Sequence, residues 1–142
     1  MRDVMDWGFC KAKFIKNAEA DPEKADSIVE SAKSRLEYVK GRDANKDNVS
    51  FIIEGYYEVI KELLVALLLY KGLRSSNHQC LISYFYKTYP EYEAEGNLIS
   101  QMSYLRNRLD YYGEKIDFEF YNKNKLEFNN IILLLFELNE KK

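Results

Sequence analysis

The sequence predicts an all-α protein, an up-and-down bundle of five or six helices in a single domain over residues 1–142. Three observations carry that reading. Proline occurs only at Pro22 and Pro90, and between residues 20 and 90 glycine occurs only at Gly41, Gly55 and Gly72, so long stretches run without a breaker. Apolar residues recur at spacings of three and four, the helical period. No stretch alternates apolar and polar residues over five or more positions between turn signals, so no strand is expected.

The elements follow in order. Residues 2–19 form a first helix with Met5, Phe9, Ala12 and Lys16 on one side, widened by Trp7, Phe14 and Ile15. Asp21-Pro22-Glu23 is a start signal: a capping carboxylate, a proline in the first turn, an acid at the positive end of the helix dipole. The second helix runs to about Lys40 on a stripe of Ala25, Ile28, Val29, Ala32, Leu36 and Val39, and Gly41 ends it. A third, from about Asp47 to Leu73, is apolar around more than half its circumference, including Phe51, and is expected at the centre of the bundle. Glu54, Glu58 and Glu62 form an acidic row on its remaining face and are read as solvated.

Ser76-Asn77-His78-Gln79 has the Ser-x-x-Gln pattern of a capping box and opens a fourth helix, which Pro90 bars from continuing. Its buried residues are Leu81, Tyr84, Phe85 and Tyr89, and Glu91–Gly96 follows as an acidic loop. A fifth helix spans Asn97 to Gly113, with a stripe of Leu98, Met102, Leu105, Leu109 and Tyr112. After the connector Glu114–Asp117, a sixth runs from about Phe118 to Asn139 on Leu126, Ile131, Leu134, Leu135 and Leu138, and the tail Glu140–Lys142 frays.

Composition excludes several function classes. A net charge of -2 argues against holding long nucleic acid by bulk charge. The apolar runs Leu63–Tyr70 and Ile131–Phe136 are far shorter than a membrane span, the N-terminus has no apolar signal core, and a cytoplasmic protein is expected. Cys10 and Cys80 have no metal-ligand spacing and are read as buried free thiols in a reducing compartment. No histidine follows any glutamate at three, so the glutamate row lacks the pairing of a di-metal bundle, and neither metal nor other cofactor is expected. His78 is the only histidine and is read as structural, packing near its cap, although a helix opening also offers free N–H groups to an anion.

The candidate site is the end of the fifth helix. Arg106, Asn107, Arg108, Asp110 and Tyr111 put planar donors, an amide, a carboxylate and a phenol where a solvated face would offer Lys and Glu. Arg106 and Asp110 lie four apart, the spacing of a helical ion pair. Arg108 shares a face with Tyr104 and Tyr111, which suits a cation–π contact. Arg106 falls at the edge of the apolar stripe, so its guanidinium is expected in a groove between helices or subunits, a position that suits phosphate. The twelve tyrosines cluster at 56–57, 84–92 and 104–112, where they either stack bases or form the edge of a core or protein interface.

Residues Ile52–Phe85, IIEGYYEVIKELLVALLLYKGLRSSNHQCLISYF, followed by LRNRLDYYG at Leu105–Gly113, resemble a HEPN domain, the higher-eukaryote and prokaryote nucleotide-binding family. The shared features are a "YE" near the start of a long helix, a "KG" end, a Ser-x-His helix opening and an Arg-Asn pair in a late helix. The resemblance covers about residues 25–138. It implies a bundle of four or five helices, a homodimer with these residues lining the dimer cleft, and, in many members, a metal-independent ribonuclease acting as a toxin beside a small nucleotidyltransferase partner. The family motif is Arg, a polar residue, three residues, then His. Arg106 and Asn107 match its start, but the histidine position falls on Tyr111, and shifts of one or two places reach Tyr112 or Gly113. Tyrosine, ionising near pH 10, is a poor base for activating a 2′-hydroxyl at neutral pH. The resemblance therefore implies a nucleotide- or RNA-binding or protein-interaction module rather than an enzyme. The alternatives are a ribonuclease with an atypical active site and a purely structural docking subunit.

Overall fold

A computed structural model describes residues 5–141 and contains six α-helices and one short antiparallel strand pair among them. The all-α class and helical bundle are as the sequence predicts.

The third helix is the axis. Designated α3, it spans Val49–Tyr70 and buries fourteen of its residues. The preceding helix α2, Pro22–Lys40, starts where Asp21 accepts from the Lys24 amide at 3.1 Å. It packs along α3 so closely that a Cβ at Gly55 would stand 2.7 Å from Val39 Cγ2. Of the α2 stripe, Ala25, Ala32 and Val39 are buried, while Ile28, Val29 and Leu36 remain half-buried. The turn into α3 is closed by two asparagines: the Asn45 amide donates to Asn48 Oδ1 at 2.8 Å and the Asn48 amide to Asn45 Oδ1 at 2.9 Å. Phe51, in the first turn of α3, is 64% exposed rather than in the core.

The N-terminal region departs most from the expectation. The first helix, α1, is only Trp7–Lys13; the predicted start at Arg2 lies outside the described residues. After it the chain extends, and β1, Ile15–Asn17, pairs antiparallel with β2, Leu73–Ser75. Lys16 thus belongs to a strand rather than to the helical face with Met5 and Phe9. The pairing is non-local, and three residues are too few for a visible alternation. Gly72 lets the chain leave α3: its φ is +73° and an added Cβ would lie 2.6 Å from the Ala18 carbonyl oxygen. Cys10 and Cys80 are both fully buried and joined in a disulfide, which corrects the expectation of free thiols. That bond ties α1 to α4, His78–Thr88.

Beyond α4, the expected acidic loop is a 3-10 turn at Pro90–Tyr92 followed by the first turn of α5, Glu93–Tyr112. The face of α5 turned to the core is Gly96, Ile99, Ser100, Met102 and Ser103. Of the predicted stripe only Met102 is buried; Leu98, Leu105 and Leu109 are half-buried and Tyr112 is exposed. Small residues win that face because they bring α5 close to its neighbours: a Cβ on Gly96 would meet the Tyr86 ring at 2.7 Å. The last helix, α6, Phe118–Glu140, buries Ile131 and Leu135 as predicted, together with Phe128 and Ile132, but Leu126 is 71% exposed. Both α5 and α6 pack on α3 and scarcely on each other. No helix among the described residues is long and apolar enough to cross a membrane.

Candidate functional site

Arg106 leaves α5 toward α3 and lands in the acidic row. Its Nη2 donates to Glu58 Oε1 at 3.2 Å, and its Nε lies 3.1 Å from Asp110 Oδ2 and 3.9 Å from Glu54 Oε2. The Nε contact with Asp110 is ionic but off the N–H axis, so the buried Nε has no hydrogen-bond acceptor among the described residues. The guanidinium carbon stands 5.8 Å from the Tyr57 ring centroid. The expected cation–π contact of Arg108 is present at Tyr104, with the guanidinium carbon 5.9 Å from that ring centroid. The predicted Arg106–Asp110 helical pair therefore exists, but inside a larger cluster. The row is not a solvated face: Glu58 also receives Lys61 Nζ at 2.7 Å, and Glu62 accepts from Arg35 Nε at 2.7 Å and Ser31 Oγ at 3.1 Å.

The crowding of carboxylates is felt electrostatically. The Glu54 carboxyl is pushed above its usual range, first by burial, then by its hydrogen bond with and repulsion from Asp110, against the pull of Arg106. Lys61 and Arg106 bring two positive charges near three carboxylates, so Arg106 is held in place rather than left free.

On the other flank of Arg106 the start of α4 approaches the end of α5, leaving an open pocket of about 290 Å³. Arg106, Asn107, Ser103 and Tyr111 line it from α5, and Asn77, His78 and Gln79 line it from α4. The geometry of the α4 start is set by Asn77, which caps the helix by accepting from the Gln79 amide at 2.8 Å. Ser76, expected to be the cap, instead lies with its hydroxyl 3.4 Å from the Phe14 carbonyl, drawn off by the strand pairing. Gln79 Nε2 donates to Ser103 Oγ at 3.0 Å and bolts the two helices together. His78 carries a lowered pKa, first from partial desolvation, then from the positive charges of Lys61 and Arg106, with Glu58 opposing. The shift favours the neutral imidazole, which has a nitrogen able to accept a proton.

The five predicted residues thus divide. Arg106, Asn107 and Tyr111 line one pocket; Tyr111 is 78% exposed, its phenol free of the core. Asp110 backs Arg106 without lining that pocket. Arg108 is elsewhere: its Nε donates to Glu114 Oε2 at 2.9 Å, its Nη2 bonds the other oxygen of the same carboxylate, and its guanidinium covers the Tyr112 ring at 4.5 Å, not that of Tyr111. His78, expected to be structural near its cap at a helix opening that could also meet an anion, lines the pocket, and the lining by Asn77 and Gln79 beside it was not expected. The available signal was the lone imidazole at a helix opening. Among the described residues no group of three or more His, Cys, Asp or Glu is placed to hold a metal ion. A larger groove, about 860 Å³, opens on the opposite flank of α5, toward α6, lined by Leu98, Tyr104 and Ile131 with Gln101, Asn124 and Glu127; it holds none of the predicted site residues.

No family model, no curated protein and no solved structure matches the chain.

Proposed function

We propose that the α4–α5 pocket binds a phosphate-bearing nucleotide or the end of a single-stranded RNA, as the HEPN resemblance implies. One observation carries the reading: the Arg106-Asn107 pair of the family-like motif meets the helix opening Asn77–Gln79 in a single polar pocket. The chemistry suits the ligand. A guanidinium fixed by carboxylates is pre-organised for a planar, charge-assisted contact with phosphate. Asn107 offers both donor and acceptor to a base edge, and the exposed Tyr111 ring offers a stacking surface. The surrounding acids weaken the field, so the affinity is modest and rises as the pH falls, when His78 gains charge and Glu54 loses it. Calorimetry with mononucleotides and a short single-stranded RNA tests this: Arg106→Ala and Tyr111→Ala abolish or weaken binding, and no heat with any ligand at pH 6 refutes it.

A second reading, metal-independent RNA cleavage, is favoured by one observation: the pocket does contain a histidine, supplied by α4 rather than by the motif. A neutral imidazole beside a guanidinium pairs a base with a phosphate clamp. Incubation of RNA with the purified protein in chelator separates the two readings, because binding without cleavage that depends on His78 leaves only the first.

A further inference from the structure

The outward face of α6 has an organised pattern that neither the core nor the pocket uses. Lys123, Leu126, Asn130, Leu133 and Glu137 recur at spacings of three, four, three and four, one stripe along the helix. All five are exposed, with Leu126 at 71% and Leu133 at 60%. The core-facing stripe, including Phe128, Ile132 and Leu135, lies on the other side of the same helix. Two exposed leucines two turns apart bracket an asparagine, and such an asparagine is a known device for fixing register between paired helices. Neither Lys123 nor Glu137 has an ionic partner among the described residues.

We propose that this face pairs with the α6 of a second copy of the chain, antiparallel, about a two-fold axis at Asn130. The stripe is self-complementary only in that orientation. Lys123 and Glu137 each lie seven residues from Asn130, so the axis brings Lys123 of each copy to Glu137 of the other. Leu126 and Leu133 lie four and three residues from it on opposite sides, so Leu126 of each copy comes within one residue of Leu133 of the other and packs beside it. A parallel pairing in register would set lysine on lysine and glutamate on glutamate. An antiparallel seam is isologous and closes as a dimer rather than growing into a fibre. The α5–α6 groove borders the seam at Glu127. One helix from each copy makes a small interface, so association in the micromolar range is expected. The seam lies on the side of α5 away from Arg106, so it is a different surface from the cleft that the resemblance implies, and it does not depend on what the polar pocket binds.

Sedimentation equilibrium on the intact protein tests the proposal. The wild type populates a dimer at roughly 100 µM, and L126E/L133E sediments as a monomer. Lys123→Glu alone and Glu137→Lys alone each weaken the dimer by about tenfold or more, and the exchanged pair K123E/E137K restores it. The exchange variants alter only exposed charges, so they decide the matter if the double leucine variant misfolds. Asn130→Cys, on the axis, gives a covalent dimer under mild oxidation. A wild type that stays monomeric at that concentration, a dimer insensitive to the leucine substitutions, or a charge exchange that fails to rescue would each overturn the proposal.

Discussion

Arg106 and Glu58, 48 residues apart in sequence, meet at 3.2 Å across the α3–α5 contact, and the contact puts the arginine of the candidate site inside the acidic row of the central helix. Structure and binding are therefore coupled at one side chain. Replacing Arg106 with methionine removes the cation that Glu54, Glu58 and Asp110 share and leaves only Lys61, on Glu58, to offset their repulsion. With Arg106 partly screened by solvent, the expected cost is about 1–2 kcal/mol, well below a fully buried pair. Urea denaturation measures it. Adding Glu58→Gln to the arginine variant recovers part of the loss, and an additive double variant would contradict a shared cluster.

His78, the only histidine, gives one imidazole signal to follow by NMR titration. Its midpoint falls below 6.5, because burial, Lys61 and Arg106 all oppose the charged form. The unfolded chain then binds the proton more readily, so this residue's contribution to stability is complete above pH 6.5 and is lost as pH falls through the folded midpoint. Arg106→Met moves the midpoint up, and saturating nucleotide does the same if phosphate occupies the pocket. A midpoint unchanged by Arg106→Met would place the imidazole outside the field of the guanidinium.

Two glycines with positive φ separate conformational strain from collision. At Gly72, φ is +73° and a new Cβ would sit 2.6 Å from a backbone oxygen; at Gly113, φ is +66° with nothing within 4 Å. Gly113→Ala pays only for the left-handed backbone, about 1 kcal/mol. Gly72→Ala adds the clash, for about 2–4 kcal/mol in total. Thermal unfolding of the two variants ranks them, and equal losses would mean that the strand turn relaxes freely.

The disulfide spans a sequence separation of 70 residues. Closing a loop of that length in the unfolded chain stabilises the fold by about 4 kcal/mol in the chain-entropy account. Reduction, or Cys10→Ser with Cys80→Ser, is expected to lower the melting temperature by roughly 10 °C. Thiol counting under denaturing, non-reducing conditions checks the bond directly: two free thiols would mean that the pair is not oxidised in solution.

Much of the bundle was legible because helix signals are local. Asp21-Pro22 marks the start of α2 where it occurs, and the apolar mass of Ile52–Leu69 marks α3 as the axis. What escaped depends on distant partners. The strand at Ile15–Asn17 exists because Leu73–Ser75 lies beside it. The rotation of α5 is set by Gly96, Ser100 and Ser103 fitting tightly, whereas periodicity weights only large apolar residues. Arg106 and Asn107 stood out as unusual in sequence, and Arg108 stood out equally until Glu114 claimed it. The helix opening Asn77–Gln79 is visible in the sequence, but that it faces Ser103, Arg106 and Asn107 is set by the distant α5, so His78 could not be assigned to the pocket from its neighbours alone.

The Cys10–Cys80 bond gives the chain the topology of a ring with a tail. Residues 10–80 form the ring and everything after Cys80 is the tail. Asn77, His78 and Gln79 stand on the ring just before its closure, while Ser103, Arg106, Asn107 and Tyr111 stand on the tail. A single cut between Lys40 and Asn48 leaves the ring's pieces covalently joined, but a cut in the 89–92 turn leaves the α5 half of the pocket with no covalent hold on the α4 half. The polar pocket is thus a seam between two topologically separate parts of one chain, and its integrity reports whether the tail is seated.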